Sequence, residues 1–290
     1  MNVLVLCREE TADVAGLRAA LARRGHAMTA VVPQQVSIVL DDVIGVRVVG
    51  APVDPDVVLG WASLHERERG AWLLAACELA AIPVVNGAAI LGVGQNKFVA
   101  SARMAAAGLP HIPTWLVGGP GDLDAAVAAL GWPVVIKPLV GAKGTGVRRL
   151  DDRAAVDAAV APAFAAGDPV YLQAHVAKPG RDIRVRVIDG VADVAFYRYA
   201  ADGAFLTNLS AGGRWEPCPL SPGLVALAER CAAAFDAPIA GVDVLEDEHG
   251  ALRVIELNVT PAITWPHDPT VERVCDLLER RARRPPRSTP

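Results

Sequence analysis

Apolar residues recur along this chain at different intervals, and the changes of interval mark out its elements. A continuous apolar run covers residues 2–7, then Val14, Leu17 and Leu21 follow at helical spacing to a stop at Gly25. Thr29 to Val32 resume a strand, Val57 to Leu59 predict another, Glu66 to Ala81 a helix, and Pro83 to Asn86 a short strand. Strands alternating with helices predict a parallel α/β lobe. No G-x-G-x-x-G follows its first strand, which argues against a dinucleotide site there.

A helix over Lys97 to Ala107, stopped by Gly108, opens a second stretch, and Pro110 and Pro113 lead into a strand over Thr114 to Val117. Asp122 is expected to cap a helix over Leu123 to Leu130, with Gly131 behind it. Strands Val134 to Lys137 and Val147 to Leu150 enclose a glycine loop, before a helix over Ala154 to Phe164 and a strand over Val170 to Gln173. From Asp182 the interval becomes two. Ile183, Val185 and Val187 alternate with Asp182, Arg184 and Arg186, Asp189-Gly190 signals a hairpin turn, and Val191 to Tyr199 return. Ser221-Pro222 start a helix to about Phe235, a second hairpin spans Gly241 to Asn258, and Asp268-Pro269 open the last helix. The expected division is 1–86, 87–172 and 173–280, with 281–290 a disordered, arginine-rich tail that reads as a solvated end or a partner-binding arm.

Composition narrows the class. With 52% hydrophobic and 21% charged residues, a chain of 290 folds into more than one lobe. The formal charge of −4 lacks the basic surplus of a nucleic-acid binder. The longest charge-free stretches, Leu79 to Asn96 and Met104 to Gly121, are broken by proline, asparagine or glycine, so no membrane span is expected. Val3 to Cys7 are too few for a signal peptide, and five scattered cysteines without C-x-x-C suit a reducing compartment. The expectation is a cytoplasmic protein without nucleic-acid or membrane partners; its Ala- and Leu-rich helices permit a homo-oligomer.

Two local features carry chemistry. In the second hairpin, turning at residues 247–250, strand periodicity puts Glu256 and Asn258 on one face with Asp243 opposite Glu256, while Val242, Val244, Ile255 and Leu257 point away. Opposed carboxylates repel unless neutralised, and carboxylate and amide oxygens suit Mg²⁺ shared with phosphates. A solvated polar face with one raised pKa is the alternative. The second feature is the loop Gly141-Ala142-Lys143-Gly144-Thr145-Gly146 after Lys137. Its glycines allow close approach of main-chain N–H groups to phosphate, although it is not a Walker A loop and could be a flexible turn. Lys137 at the strand end, and Lys97 at a helix start, could supply positive charge.

In sequence order, "NGAAILGVGQNKFVASARMAAAGLPHIPTW", "GWPVVIKPLVGAKGTGV", "GRDIRVRVIDG", "TNLSAGG" and "GVDVLEDEHGALRVIELN" resemble the ATP-grasp superfamily, within it the RimK-like amino-acid ligases. That family includes ribosomal-protein glutamate ligase and LysX-like ligases. The resemblance implies an α/β ATP-grasp fold: an amino-terminal parallel lobe and two α+β lobes enclosing ATP. It implies that Lys97 and Lys137 contact phosphates, that Gly141, Gly144 and Gly146 close over them, that Gln173, Ala174, His175 and Val176 read adenine, and that Asp182 lies near the ribose. Arg184, Arg198 and Asn208 would face the phosphate and acyl end, and Asp243, Glu256 and Asn258 would hold Mg²⁺, with Mn²⁺ a possible substitute. Ala174 stands where the family commonly has Glu, and Val259-Thr260-Pro261-Ala262 replace a small-residue run ending Pro-Gly. Arg186 occupies a place the family usually keeps apolar, either as an extra substrate contact or as an exposed strand residue, and exposure is the expectation.

The implied reaction is ATP-dependent carboxylate–amine ligation through an acyl phosphate, adding an amino acid to a small molecule or peptide. A catalytically silent ATP-binding module and a phosphotransferase to a non-carboxylate acceptor are the alternatives.

Overall fold

The computed structural model describes residues 1–62, 66–94, 96–141, 144–200, 214–264 and 269–282. Its first sheet is parallel, built from β1 (Asn2–Cys7), β2 (Ala27–Val31), β6 (Val57–Trp61) and β7 (Val84–Val85) in the order β2-β1-β6-β7. The helices α1 (Ala12–Arg23) and α2 (Arg67–Leu79) connect its strands, α1 starting where the Thr11 hydroxyl accepts from the Val14 N–H. Between β2 and β6 lies an antiparallel meander of β3 (Val36–Leu40), β4 (Ile44–Val48) and β5 (Ala51–Val53) that the apolar pattern did not predict. Adjacent Val39 and Leu40 are both exposed, so the meander lacks the clean two-residue alternation that identifies a strand.

After α3 (Ala88–Val93) and α4 (Lys97–Ala106), a second sheet contains β8 (Thr114–Val117), β9 (Val134–Lys137), β10 (Arg148–Leu150) and β11 (Val170–Ala174) in the order β10-β9-β11-β8. Its helices α5 (Leu123–Leu130) and α6 (Arg153–Ala165) cover one face around Val117, Val134, Ile136, Val170 and Leu172. Asp122 does not cap α5. It closes a 3₁₀ turn, Pro120–Asp122, with backbone already near helical at φ −101° and ψ −2°, so its side chain makes no cap bond. Gly131 does end the helix at φ +72°, where a side chain would be strained.

The third sheet is antiparallel, in the order β14-β13-β12-β15-β16, from β12 (Arg181–Ile188), β13 (Val191–Tyr199), β14 (Arg214–Pro217), β15 (Ile239–Glu246) and β16 (Leu252–Asn258). Asp189 (φ +50°) and Gly190 (φ +81°) make the expected left-handed turn between β12 and β13. Two-residue periodicity divides the sheet chemically. Ile183, Val185, Val242, Val244, Val254 and Leu257 join the core on the side of α7 (Pro222–Ala234), while Asp182, Arg184, Arg186, Arg198, Asp243, Glu256 and Asn258 occupy the other face. A bulge after Asp243 makes Val254, not Ile255, the partner of Val244, so Ile255 leaves the inward set.

The last helix, α8 (Thr270–Ala282), packs against α1, and its Val274, Cys275, Leu277 and Leu278 share a core with Val3, Val5, Leu17 and Leu21. Arg281 therefore belongs to a helix rather than to the expected tail, and the neighbouring Arg280 pairs with Asp189 at 3.0 Å; residues 283–290 lie outside the described ones. Among the described residues, no helix is long and apolar enough to cross a membrane.

Candidate active site

The second sheet contributes the face opposite α5 and α6. Lys137 ends β9, and its Nζ donates to Gln173 Oε1 at 2.6 Å across the β9–β11 pair. Gln173 in turn donates to Thr114 Oγ1 (3.0 Å) and to the Tyr171 hydroxyl (3.1 Å), which also meets Ser101 Oγ at 2.9 Å. These neutral partners hold the ammonium without cancelling its charge. Burial pushes the Lys137 pKa down to about 8, Lys97 and Lys178 adding repulsion against the pull of Glu256 and Asp243. Lys97 follows Asn96, whose Oδ1 caps α4 by accepting from the Phe98 and Val99 N–H groups. Lys97 Nζ donates to the Gly141 carbonyl at 2.8 Å, tying the helix start to the glycine loop. Gly144 and Gly146 have positive φ, and a Cβ on Gly146 would stand 2.7 Å from Pro138 Cγ. Those two positions need glycine for the chain to turn there.

The third sheet supplies the opposing face. Asp243 lies opposite both Arg184 and Glu256 in register, as the hairpin spacing predicted for Glu256. The carboxylate is not left to a metal alone. Arg184 Nε donates to Asp243 Oδ1, Arg184 Nη2 and Arg198 Nη2 each reach Oδ2 at 2.8 Å, and Arg198 Nε donates to Asp182 Oδ1 at 2.7 Å. Burial alone would raise the Asp243 pKa, but the two guanidinium groups outweigh it and hold the group at about 2. Glu256 moves upward, first from desolvation and then from repulsion by Asp243, against the pull of Arg184, Lys137 and Lys97. Asn258 Nδ2 reaches only the Gly241 carbonyl at 3.4 Å. Gly241 is bare for a reason: a Cβ there would meet Pro261 Cβ at 2.9 Å and Arg184 Cδ at 3.1 Å.

The hinge residues are more committed than a main-chain reader of adenine requires. The Gln173 side chain is buried in the Lys137 network, the Ala174 N–H donates to the Pro113 carbonyl (2.9 Å), and the His175 N–H to the Pro133 carbonyl (3.3 Å). Among residues 174–176, Val176 alone keeps an unengaged described amide. Residues 174–177 and Pro113 line a cavity of about 300 Å³ whose far wall is the 247–249 turn and Arg253.

Lys97, Lys137 and Gly141 thus lie on the side of the second sheet and Asp182, Arg184, Arg198, Asp243, Glu256 and Asn258 on the third, with both lysines near enough to act on Glu256; Asn208 lies outside the described residues. Arg186 corrects its expectation. It is 1% exposed, its Nη1 donates to the Ala262 carbonyl at 3.0 Å, and burial lowers its pKa to about 10. Lys178, which no motif singled out, is half-buried near Asp182, Arg198 and Asp243, and desolvation lowers its pKa. Its Lys-Pro-Gly setting between hinge and β12 was the available signal. Among the described residues, no group of three His, Cys, Asp or Glu could by itself hold a metal ion.

A glycine loop over one sheet, a hinge strand and a polar antiparallel face opposite define the ATP-grasp class. The RimK-like ATP-grasp domain matches residues 94–271, and the chain belongs to that family. It is 32% identical over 250 residues to the tetrahydromethanopterin:alpha-L-glutamate ligase of Methanosarcina acetivorans, covering 76% of this chain and 73% of that one. Among solved structures, the ATP-grasp ligase PsnB complexed with minimal precursor superposes with a TM-score of 0.74 at 21% identity, over 96% of this chain and 98% of that one. A RimK domain protein from Sphaerobacter thermophilus gives 0.72 at 22%, over 96% and 100%. The chain is accordingly an ATP-dependent carboxylate–amine ligase, an enzyme that forms C–N bonds.

Proposed function

We propose that this ligase activates a substrate carboxylate by accepting the γ-phosphoryl group of ATP onto it, and that an amino-acid amine then displaces phosphate from the acyl phosphate to leave an amide. A small molecule or peptide carries the carboxylate. The supporting observation is that Lys97, at the start of α4, and Lys137, at the end of β9, both lie near enough to the third sheet to pull on the Glu256 carboxylate. Lysines placed beside carboxylates in this way suit an anionic substrate that brings its own divalent ion.

The donor chemistry fits Mg²⁺ with one qualification. Glu256 and Asn258 offer hard oxygens without a described donor on them, whereas both Asp243 oxygens already accept from arginine. Glu256 and Asn258 would hold the ion, and Asp243 would join once Arg184 turns toward phosphate. Bound Mg²⁺, or Mn²⁺ in its place, supplies charge neutralisation at the phosphates. Lys97, Lys137 and Arg184 orient the phosphates and offset negative charge as the phosphoryl group moves, with Gly141, Gly144 and Gly146 closing over it. The Val176 amide and the Ala174 to Ala177 main chain suit the adenine, and Asp182, held by Arg198, the ribose end. Arg198 keeps Asp182 and Asp243 in place.

The proposed lobes are 1–86, 87–172 and 173–280. The separate core of the second sheet supports the middle one, and α8 attaches the last to the first. Five free, buried cysteines support a cytoplasmic setting. The test is ADP release over an array of carboxylate and amine pairs, with mass spectrometry of products. Amide plus ADP is expected for a restricted set; stable phosphorylated product in the presence of amine would select the phosphotransferase, and ATP binding without turnover the silent module.

A further inference from the structure

The turn that follows Asn258 is held from several directions at once. Three glycines on different parts of the fold make room for it. A Cβ on Gly94 would stand 2.5 Å from Val259 Cγ1, one on Gly241 2.9 Å from Pro261 Cβ, and one on Gly16 2.6 Å from Thr264 Cγ2. Its main chain is bonded at the beginning, middle and end. Asn86 Nδ2 donates to the Val259 carbonyl at 2.6 Å, and Arg186 Nη1 to the Ala262 carbonyl at 3.0 Å. Asp13 Oδ1 accepts from the Ile263 and Thr264 N–H groups, each at 2.8 Å, and from the Thr264 hydroxyl at 2.6 Å. Val259, Pro261 and Ile263 are buried, which leaves Ala262 exposed and Thr260 half-buried.

Arg186 is the chemically costly member of this clamp. A guanidinium loses several kcal/mol of hydration on burial, so a site that only needed filling would be better served by a methionine of similar length. What an apolar side chain could not do is donate to the Ala262 carbonyl. Asp193 and Asp13 supply compensating charge from β13 and α1, Arg184 opposes it, and the guanidinium lies 5.2 Å from the Phe196 ring centroid. The turn starts one residue after Asn258, at the end of β16 remote from the 247–249 turn that lines the hinge cavity. On the nucleotide placement proposed above, with adenine at the hinge cavity, it lies on the acyl side of the phosphates.

We propose that Arg186 is a positioning residue for ligation: through the Ala262 carbonyl it fixes the 259–264 turn against which the acyl and amine substrates meet. This rests on the ligase reading above only for the identity of what meets there. Hydrogen–deuterium exchange of the full chain, with Mg²⁺ and AMPPNP, tests the clamp directly. In Arg186→Met, amides of 259–264 should exchange at least tenfold faster, while 173–176 are unchanged and the AMPPNP Kd moves less than twofold. Arg186→Lys, which keeps a cation and a donor, should recover part of the protection. With L-glutamate and a glutamate-tailed peptide as probes, Arg186→Met should release more ADP per amide formed, with KM for ATP unchanged. Equal exchange in wild type and Arg186→Met overturns the proposal. So does loosening that extends to 173–176 or weakens AMPPNP, since that marks general stabilisation. If the wild type releases no ADP with any pair in the array, the ligase reading fails while the exchange result still decides whether Arg186 holds the turn.

Discussion

Arg184 covers both carboxylate oxygens of Asp243 from the neighbouring strand, so the acid expected to need a metal is already paired with a guanidinium. Arg198 adds a second contact from β13 and links Asp243 to Asp182. The two acids are therefore unlike: Asp243 is hydrogen-bonded to arginine as well as being a proposed ligand, whereas Glu256 is a proposed ligand with no described donor on its oxygens.

That difference separates two substitutions. Glu256→Gln relieves repulsion from Asp243, so urea unfolding should show unchanged or higher stability while ADP release falls at least a hundredfold. Asp243→Asn strips the charge from a buried ion pair, and unfolding should show a loss of about 3–5 kcal/mol. Similar stability in the two variants would contradict the arginine assignment.

Lys137 sets a pH dependence with opposite signs for stability and activity. Burial favours its neutral form in the folded chain, so from about pH 8 up to the ordinary lysine range the unfolded chain holds more protons. Its contribution to stability should accordingly rise with pH across that window. Activity should fall instead: kcat/KM for ATP, which reports the free enzyme, should decline above about pH 8. Lys137→Arg keeps the charge and should remove that alkaline limb, which initial rates at sub-saturating ATP will show.

Gly241→Ala tests the close passage of Arg184. The added methyl would press on Pro261 and the Arg184 stem, and overpacking of this kind costs about 1–3 kcal/mol. The chain should still fold by circular dichroism, with kcat reduced about tenfold or more because both the guanidinium and the turn beyond Asn258 shift.

Leu278→Ala addresses the seam between the first sheet and α8. Leu278 is fully buried among Val3, Val5 and Leu17, so truncation should cost about 2–5 kcal/mol in urea unfolding. AMPPNP affinity at low temperature should stay near the wild-type value, because no residue of this core is among those proposed to contact the nucleotide.

Much of this was legible beforehand where a side-chain period met a turn signal. Asp189-Gly190 and the alternation from Asp182 placed the polar face of the third sheet, and the second hairpin put Asp243 opposite Glu256. What escaped were relations that no local pattern encodes. The 36–53 meander has half-exposed strands, and Asp122 lost its capping role to a preceding 3₁₀ turn. Arg186 has the spacing of an exposed strand residue, yet Asp13 and Ala262, far away in the chain, make its interior place possible. The carboxylate pair correctly pointed to a need for positive charge; that arginines already meet part of it depended on strand order, β13-β12-β15, which sequence does not disclose.

The seat of α8 on α1 has a consequence for biosynthesis. The chain leaves the ribosome amino terminus first, so the parallel sheet is made long before the helix that covers Val3, Val5 and Leu21. Until residues 270–282 emerge, that apolar surface has no native cover, and the Arg24 guanidinium lacks Glu272, Asp276 and Glu279. A segment synthesised well before α8 is then completed only after it, and a ribosome stalled before α8 would present a sticky, chaperone-binding nascent chain.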